Sequence, residues 1–548
     1  MHRNKSVRAH DFAMVPQADV PRSQFKMRSR HLTTFDSGYL VPIFATEVLP
    51  GDSWNLRHTL YARTSTPIYP IMDNLWLDSF YYAVPLRLLW NNFKKMMGEQ
   101  ANPSDSINYV TPVVRSASGG WPALSLGDYF GMAVAGQMTA TTKDLAAWWT
   151  RAYNFIWNQC FRDENLQDSV VVDLGDGPDN ASNYVLLRRG KRFDYFTSAL
   201  PWPQKGSTGV TVPLSGNAPV KGIGIWDGAG FEAAGSIGGG QTVRQSDGSA
   251  ATMTGWAVKD PSNVTGAAQS YLGVAQGTTG YPNIYADLSS ATGVLINQLR
   301  QSIMIQEFLE KDARGGTRYV EMLKMHFGVV SPDFRQQRPE YLGGGTKLIN
   351  INPVTQTSAT GLTGGSTPIG TQSGYGIVVD RNGFNYSATE HMVILGLVEV
   401  RADLTYQQGV HRMFTRSTRY DYYDPSFAHL GNQAIRNDEI YCDGTSNDSA
   451  TFGYKEAWDE YRYFPSRVSG LFRSTTAGTI DGWHLAQKFT SLPALNSAFI
   501  QDTPPLSRVL AVGAAANGQQ FIGDFDFDIT VARCMPMFSV PHISGIRI

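Results

Sequence analysis

The chain has 548 residues, of which 42 % are hydrophobic, 12 % aromatic and only 17 % charged. That balance excludes a disordered chain, which buries too little apolar surface to offset its conformational entropy. The 46 Lys and Arg against 47 Asp and Glu leave a net charge of −1. A protein that coats nucleic acid over its whole surface needs a strong positive excess, so any such contact here is local. The length allows roughly three or four domains, or fewer if large all-β units are present. Three cysteines, Cys160, Cys442 and Cys534, are too few and too widely spaced for a disulfide framework or a zinc pattern. A reducing compartment fits that usage. The polar opening MHRNKSVRAHDF is not a signal peptide, and no run of about 18 apolar residues predicts a membrane span.

In chain order, residues 1–38 read as a basic N-terminal arm. Residues 1–31 carry seven Lys and Arg against Asp11 and Asp19. Arg22, Lys26, Arg28 and Arg30 are its candidate contacts to an anionic or neighbouring surface. Residues 39–204 form a first β-rich part. YLVPIFATEVLP and GDSWNLRHTLYARTS are bounded by turn residues and rich in β-branched and aromatic side chains. LWLDSFYYAVPLRLLW (75–90) predicts one or two strands buried on both faces. A helix is expected after a Thr142 cap, with Leu145, Trp148, Trp149, Ala152, Phe155 and Ile156 on one face. Residues 205–290 hold 17 glycines and few charges. They predict an inserted surface module or a flexible linker, with short strands at Val210–Leu214 and Ile223–Trp226. Its aromatics Trp226, Phe231, Trp256, Tyr271 and Tyr281 require a place to pack.

Residues 291–548 carry helices, loops and the remaining strands. Leu295, Leu299, Ile303 and Phe308 predict a helix stopped by Gly315-Gly316, and a second is expected from Thr317 to Gly328. The stretch 355–376 reads as an exposed loop. HMVILGLVEVRADLTY (391–406) predicts a strand. Residues 521–531 alternate almost without fault, with Phe525, Phe527, Ile529 and Val531 on one face. Candidate core strands therefore lie at both ends, as in a sheet sandwich with elaborated connections.

Catalytic motifs are missing. No HExxH, GxSxG or P-loop occurs. Gly228-Ala-Gly230-Phe-Glu-Ala233 matches a dinucleotide fingerprint formally but runs into more glycines instead of a helix. Asp524, Asp526 and Asp528 share one strand face. They read mainly as a solvated or interface edge, and otherwise as a weak cation site. Two stretches join cations to rings: Arg188, Arg189, Lys191 and Arg192 before Phe193, Tyr195 and Phe196, and Arg412, Arg416 and Arg419 before Tyr420, Tyr422 and Tyr423. Cations hold phosphates and rings stack on unpaired bases, so both are candidate single-strand nucleic-acid sites. Solvated loops, or pairing with the adjacent Asp194 and Asp421, are the alternative.

Several long strings resemble one family. They include TTFDSGYLVPI (33–43), PIMDNLWLDSFYY (70–82), RAYNFIWNQCFRDENLQDSV (151–170), LLRRGKRFDYFTSALPWPQKG (186–206), FGVVSPDFRQQRPEYLGGG (327–345), RSTRYDYYDP (416–425) and EYRYFPSRVSGLFRS (460–474). They are similar to the major capsid proteins of gokushoviruses, single-stranded-DNA bacteriophages of the Microviridae. The sequence departs from that pattern locally at Met392, His411, Phe414 and Cys534. The resemblance implies a mainly β protein, an eight-stranded antiparallel jelly roll whose long loop insertions carry short helices. It implies sixty copies in a T = 1 shell around circular single-stranded DNA, with 205–290 as a three-fold protrusion and host-attachment surface. It also implies a small basic DNA-packaging protein, a minor DNA pilot protein and an internal scaffolding protein as partners, an unidentified host receptor, no integral membrane association, assembly in the bacterial cytoplasm, and neither cofactor nor catalysis. Two other classes remain open on the residues alone: a β-rich glycoside hydrolase and a standalone single-strand DNA-binding protein.

Overall fold

The computed structural model describes residues 21–106, 108–138, 142–206, 220–221, 223–226, 271–274, 285–286, 296–315, 319–328, 337–359, 368–512 and 519–538. The chain divides into two compact units, Met1–Pro203 with Gly315–Ile548, and Gln204–Arg314.

The first unit is built on nine long strands. They are β1 (Ser23–Phe35), β2 (Val41–Val48), β3 (Ser53–Thr64), β4 (Leu75–Pro85), β5 (Glu340–Leu348), β6 (Asn350–Thr355), β7 (Gln372–Ser387), β8 (Met392–Ala402) and β9 (Phe521–Arg533). One sheet runs β1-β9-β3-β7-β6 and the other β5-β4-β8-β2, with every neighbour antiparallel. The last strand thus lies between the first and the third. Alternation decides which face each strand buries. In β9, Phe521, Phe525, Phe527, Ile529 and Val531 are buried, as their spacing predicts, and in β3 Trp54, Leu56, Leu60 and Ala62 are buried. They share one core with Leu75, Leu77, Tyr81, Ile394, Val398 and Val400 of the other sheet. The opposite face of β4 and β8, carrying Tyr82, Val84, Val393, Leu395 and Leu397, is covered by Trp90, Trp121 and helix α1 (Trp148–Ile156). That double burial explains why 75–85 and 392–402 are almost continuously apolar.

Polar pins cross this core. His58 of β3 stands between Tyr81 of β4 and Asp380 of β7. The Tyr81 hydroxyl lies 2.8 Å from Nδ1, and Nε2 is 3.2 Å from the Asp380 carboxylate. Asn382 and Ser79 donate to the same oxygen. Burial pushes the Asp380 carboxyl up, but the His58, Asn382 and Ser79 contacts more than offset it and hold it below the ordinary range. On α1, fully buried Arg151 grips Asp179 through Nε and Nη2 and donates to the carbonyls of Leu89 and Gly175. One side chain thereby ties two loop segments to the helix.

Three expectations change. Residues 23–35 of the expected arm are an edge strand, because their cations meet carboxylates of β9. The α1 helix starts at Trp148, not after Thr142, because Asp144–Ala146 pairs with Val113–Arg115 and Arg115 holds Asp144 bidentately. The expected loop at 355–376 is partly strand, since Thr355 pairs with Gln372. The second expected helix is α3 (Tyr319–Phe327), with Gly328 at φ +69° behind it.

In the second unit, Ile223–Trp226 pairs with Tyr271–Val274, and Val220–Lys221 with Tyr285–Ala286. Helix α2 (Ile296–Arg314) ends before Gly315, as its spacing predicts. Val210–Leu214 lies outside the described residues.

Phe525 is fully buried, with its ring centroid 6.4 Å from that of Phe35. Phe525→Ala is expected to cost about 3–5 kcal/mol, seen as a lower thermal midpoint and a lower particle yield. Arg30→Gln, on the outer face of the same sheet, is expected to shift the midpoint little.

Candidate functional site

The two basic stretches sit at the centre of buried charge networks. The residues from Arg188 to Arg192 run beside β4 and β8. Asp78, in the middle of β4, is fully buried. Its Oδ2 accepts from Arg401 Nε at 2.9 Å, Arg192 Nη2 at 3.1 Å and Arg189 Nη1 at 3.2 Å. Burial raises the Asp78 carboxyl, while Thr346 and the Arg401 and Arg189 guanidiniums more than compensate, so it lies below its ordinary value. Arg189 also donates to Glu399 of β8 at 2.8 Å. Arg188 donates to the carbonyls of Ser37 and Asp502 and lies 3.9 Å over the Tyr39 ring. Lys191 is buried, 3.0 Å from Gln487 Oε1 and over the Phe499 ring. Burial lowers its ammonium to about 8. Glu399 and Asp502 are pushed up by burial, against the pull of the nearby cations. Of this stretch only Arg192 keeps its side chain half exposed.

The second stretch repeats the pattern. Arg412 donates to the Ala434 carbonyl at 3.0 Å and to Glu439 at 3.4 Å. Arg416 reaches Glu460 at 3.4 Å and lies 4.2 Å over the Tyr461 ring. Tyr195 donates to the other oxygen of Glu439, whose carboxyl burial pushes up. Arg419 is exposed, 5.4 Å over Tyr420, and Tyr420, Tyr422 and Tyr423 are themselves exposed. The adjacent aspartates do not pair with these arginines. Asp421 accepts from the backbone N–H groups of Ser417 and Thr418, which hold it down to about 2, and Asp194 accepts from those of Phe196 and Thr197.

The expected arm contacts are mostly internal. Arg28 binds Asp526 through Nε and Nη2, and Arg30 binds Asp524 bidentately. Side-chain hydrogen bonds from these arginines lower both carboxyls. Arg22 donates to the Gly51 carbonyl at 2.6 Å and to Ser53. Lys26 is exposed. Asp524 and Asp526 therefore neutralise guanidinium groups, and among the described residues no three potential ligands cluster for a metal. Trp226 and Tyr271 are register partners in their short strands. Phe231, Trp256 and Tyr281 lie outside the described residues.

Sequence reasoning misses the buried carboxylates Asp78, Glu399, Glu439 and Glu460. For the first two a signal exists: a lone acid inside LWLDSFYYAV and inside MVILGLVEVRA is a buried charge that requires a partner.

In this antiparallel β-sandwich the basic clusters serve as internal struts. A model of the family described as "Capsid protein (F protein)" matches residues 13–543, and the chain belongs to that family. It is 42 % identical over 543 residues to "Capsid protein VP1" of Bdellovibrio phage phiMH2K, covering 98 % of each chain. Proteins of that name are 40 % identical in Chlamydia phage 1 and 35 % in Spiroplasma virus 4, each match covering 99 % of both chains. These relatives are gokushovirus capsid proteins, and the chain is a virion capsid protein, not an enzyme. The glycoside hydrolase alternative falls with that assignment.

Asp78→Asn leaves three guanidiniums against a neutral amide and is expected to cost about 3–5 kcal/mol in thermal or denaturant unfolding. Arg192→Gln, half exposed, is expected to cost under about 1 kcal/mol. Glu399 gives a pH signature. Its folded carboxyl binds the proton more tightly than the unfolded one. Its contribution is therefore full below the ordinary carboxylate range and is lost as pH rises toward neutrality. The stability of Glu399→Gln is expected to gain on the native protein between about pH 5 and pH 8, read from thermal midpoints across that range.

Proposed function

We propose that this chain builds a T = 1 icosahedral shell of sixty copies around circular single-stranded DNA. The strand order carries the reading. Set aside β6, which extends the sheet edge beyond β7, and four strands ordered β1-β9-β3-β7 face four ordered β5-β4-β8-β2. That order supports reading the fold as an eight-stranded antiparallel jelly roll, a fold of viral shells. Its closed core leaves loops free to make contacts on all sides, and a closed point group repeats each contact sixty-fold.

DNA contact by the basic stretches falls to Arg192 and Arg419, with Tyr420, Tyr422 and Tyr423, because these remain exposed. Arg188, Arg189, Lys191, Arg412 and Arg416 hold the framework that presents them. Of the arm contacts, Lys26 is the one left for a partner. The Gly-rich insertion 205–290 forms the surface protrusion and attaches to the host. A small basic DNA-packaging protein supplies charge that a chain of net −1 lacks, and pilot and internal scaffolding proteins complete assembly in the host cytoplasm.

Imaging native particles from infected cells with icosahedral averaging tests this reading. Sixty-copy T = 1 shells containing nuclease-protected single-stranded DNA are expected. Only small oligomers, even with scaffolding protein present, would overturn it. Replacing 205–290 by a short linker is expected to leave closed shells that no longer attach to host cells. Arg419→Ala is expected to reduce ordered DNA without preventing closure.

A further inference from the structure

The outward face of the sheet β1-β9-β3-β7-β6 is not covered by any described element of its own unit, and its register lays out a pattern. Read across β1, β9, β3 and β7, successive rows are Lys26–Thr530–Asn55–Asn385, Arg28–Asp528–Arg57–Gly383, Arg30–Asp526–Thr59–Arg381 and Leu32–Asp524–Tyr61–Val379, and then Thr34–Ile522–Arg63–Ile377. The carboxylates on these strands' outward faces are Asp524, Asp526 and Asp528, against six cations. Arg28 and Arg30 consume two of the three. Arg57, Arg63 and Arg381 are exposed and form no ion pair among the described residues. The face therefore keeps a net positive field centred on β3 and β7.

Tyr61 lies in that field, two residues from Arg63 and four from Arg57 on the same side of β3, with 41 % of its surface exposed. Residues two apart on a strand stand about 7 Å from one another. A base stacked on Tyr61 thus brings its own phosphodiester within reach of the Arg63 guanidinium, and Arg57, about 14 Å from Tyr61, is placed for a neighbouring phosphate. Opposite Arg57 on β7, Gly383 leaves a gap. A side chain there is excluded, since a Cβ would lie 2.0 Å from the Leu56 carbonyl oxygen. The resulting depression, about 510 Å³, is bordered by Asn55, Arg57, Thr59, Arg381, Asn385, Asp526 and Asp528 among others. Asp526 is already paired with Arg28, and the amides, the hydroxyl and Asp528 there match the mixed donors and acceptors of base edges.

We infer that this sheet face is a platform for single-stranded polynucleotide, with Arg57, Arg63 and Arg381 on phosphates and Tyr61 stacked on a base. Charge complementarity selects that occupant, since unpaired guanidiniums beside an exposed ring suit a polyanion with flat bases. The inference rests on the proposed enclosure of single-stranded DNA.

The test is ultraviolet cross-linking of native particles, followed by nuclease digestion, trypsin and mass spectrometry. Nucleotide adducts are expected on the tryptic peptide that carries Tyr61, which is His58–Arg63 in the native chain and the longer uncut peptide in the arginine variant, each quantified against its own unmodified form. In particles of Arg57→Gln/Arg63→Gln/Arg381→Gln, or of Tyr61→Leu, that adduct is expected to fall about tenfold, the loss of one stacking or phosphate contact. Adducts found only on other peptides, with protected DNA present, overturn the platform and leave the enclosure standing. Absence of protected DNA overturns both. A chemical cross-link from this face to another protein copy, with no nucleotide adduct, overturns the platform in favour of a subunit interface.

Discussion

The fold depends on where its last strand goes. β9 is hydrogen-bonded to β1 on one side and to β3 on the other. Neither sheet nor core is complete until residues 521–533 arrive. Pairing of that kind closes a loop of almost the whole chain, which slows folding more than it costs stability, because closure entropy grows only slowly with length. The same slow growth explains why long insertions hang between β4 and β5 and between β8 and β9 without breaking the sandwich. The strand must therefore be recognised strongly when it comes. Its buried side supplies Phe521, Phe525 and Phe527, and its outer side supplies a carboxylate ladder that meets Arg28 and Arg30. A shift by one residue would turn every aromatic ring outward and every carboxylate inward.

Buried charge does the second part of the work. Asp78 and Glu399 stand in strands covered on both faces, where an isolated carboxylate is costly. Arg189, Arg192 and Arg401 compensate them, and so fasten the segment 188–192 to the centre of the second sheet. Glu439 and Glu460 do the same for Arg412 and Arg416. Loops that would otherwise wander over a sandwich are fixed at defined places. A capsid assembled from many copies needs that precision, because an error in one loop recurs in every copy.

Legibility in the sequence follows from which interactions are local. The alternation of 521–531 needs no partner to be read, and it matches the observed burial residue by residue. The apolar run at 75–85 announces a strand buried twice. The strand β1 is hidden for the opposite reason. Phe25, Met27 and His31 alternate with Lys26, Arg28 and Arg30, but the carboxylates that make this a strand are some five hundred residues away. Its cations therefore look like a solvated arm. Arg188–Arg192 and Arg412–Arg416 mislead in the same way, since Asp194 and Asp421 beside them spend their oxygens on backbone N–H groups. The partners that matter come from other strands and loops, and no single segment reveals them.

Under the proposed function, what remains after these pairings is what a chain of net charge −1 offers a polyanion. Composition counts every arginine equally, whereas the fold spends most of those in basic clusters on its own carboxylates. Among the exposed cations without an ion pair, two groups lie beside aromatic rings: Arg57, Arg63 and Arg381 on one sheet face with Tyr61, and Arg419 with its neighbouring tyrosines. A uniform coat of charge would bind any anion and would repel neighbouring copies across the shell. Small groups of unpaired guanidiniums next to rings would instead attract a polynucleotide locally. On that proposal the net charge is a poor guide, and the positions of the unpaired guanidiniums, more than the total, would decide nucleic-acid contact.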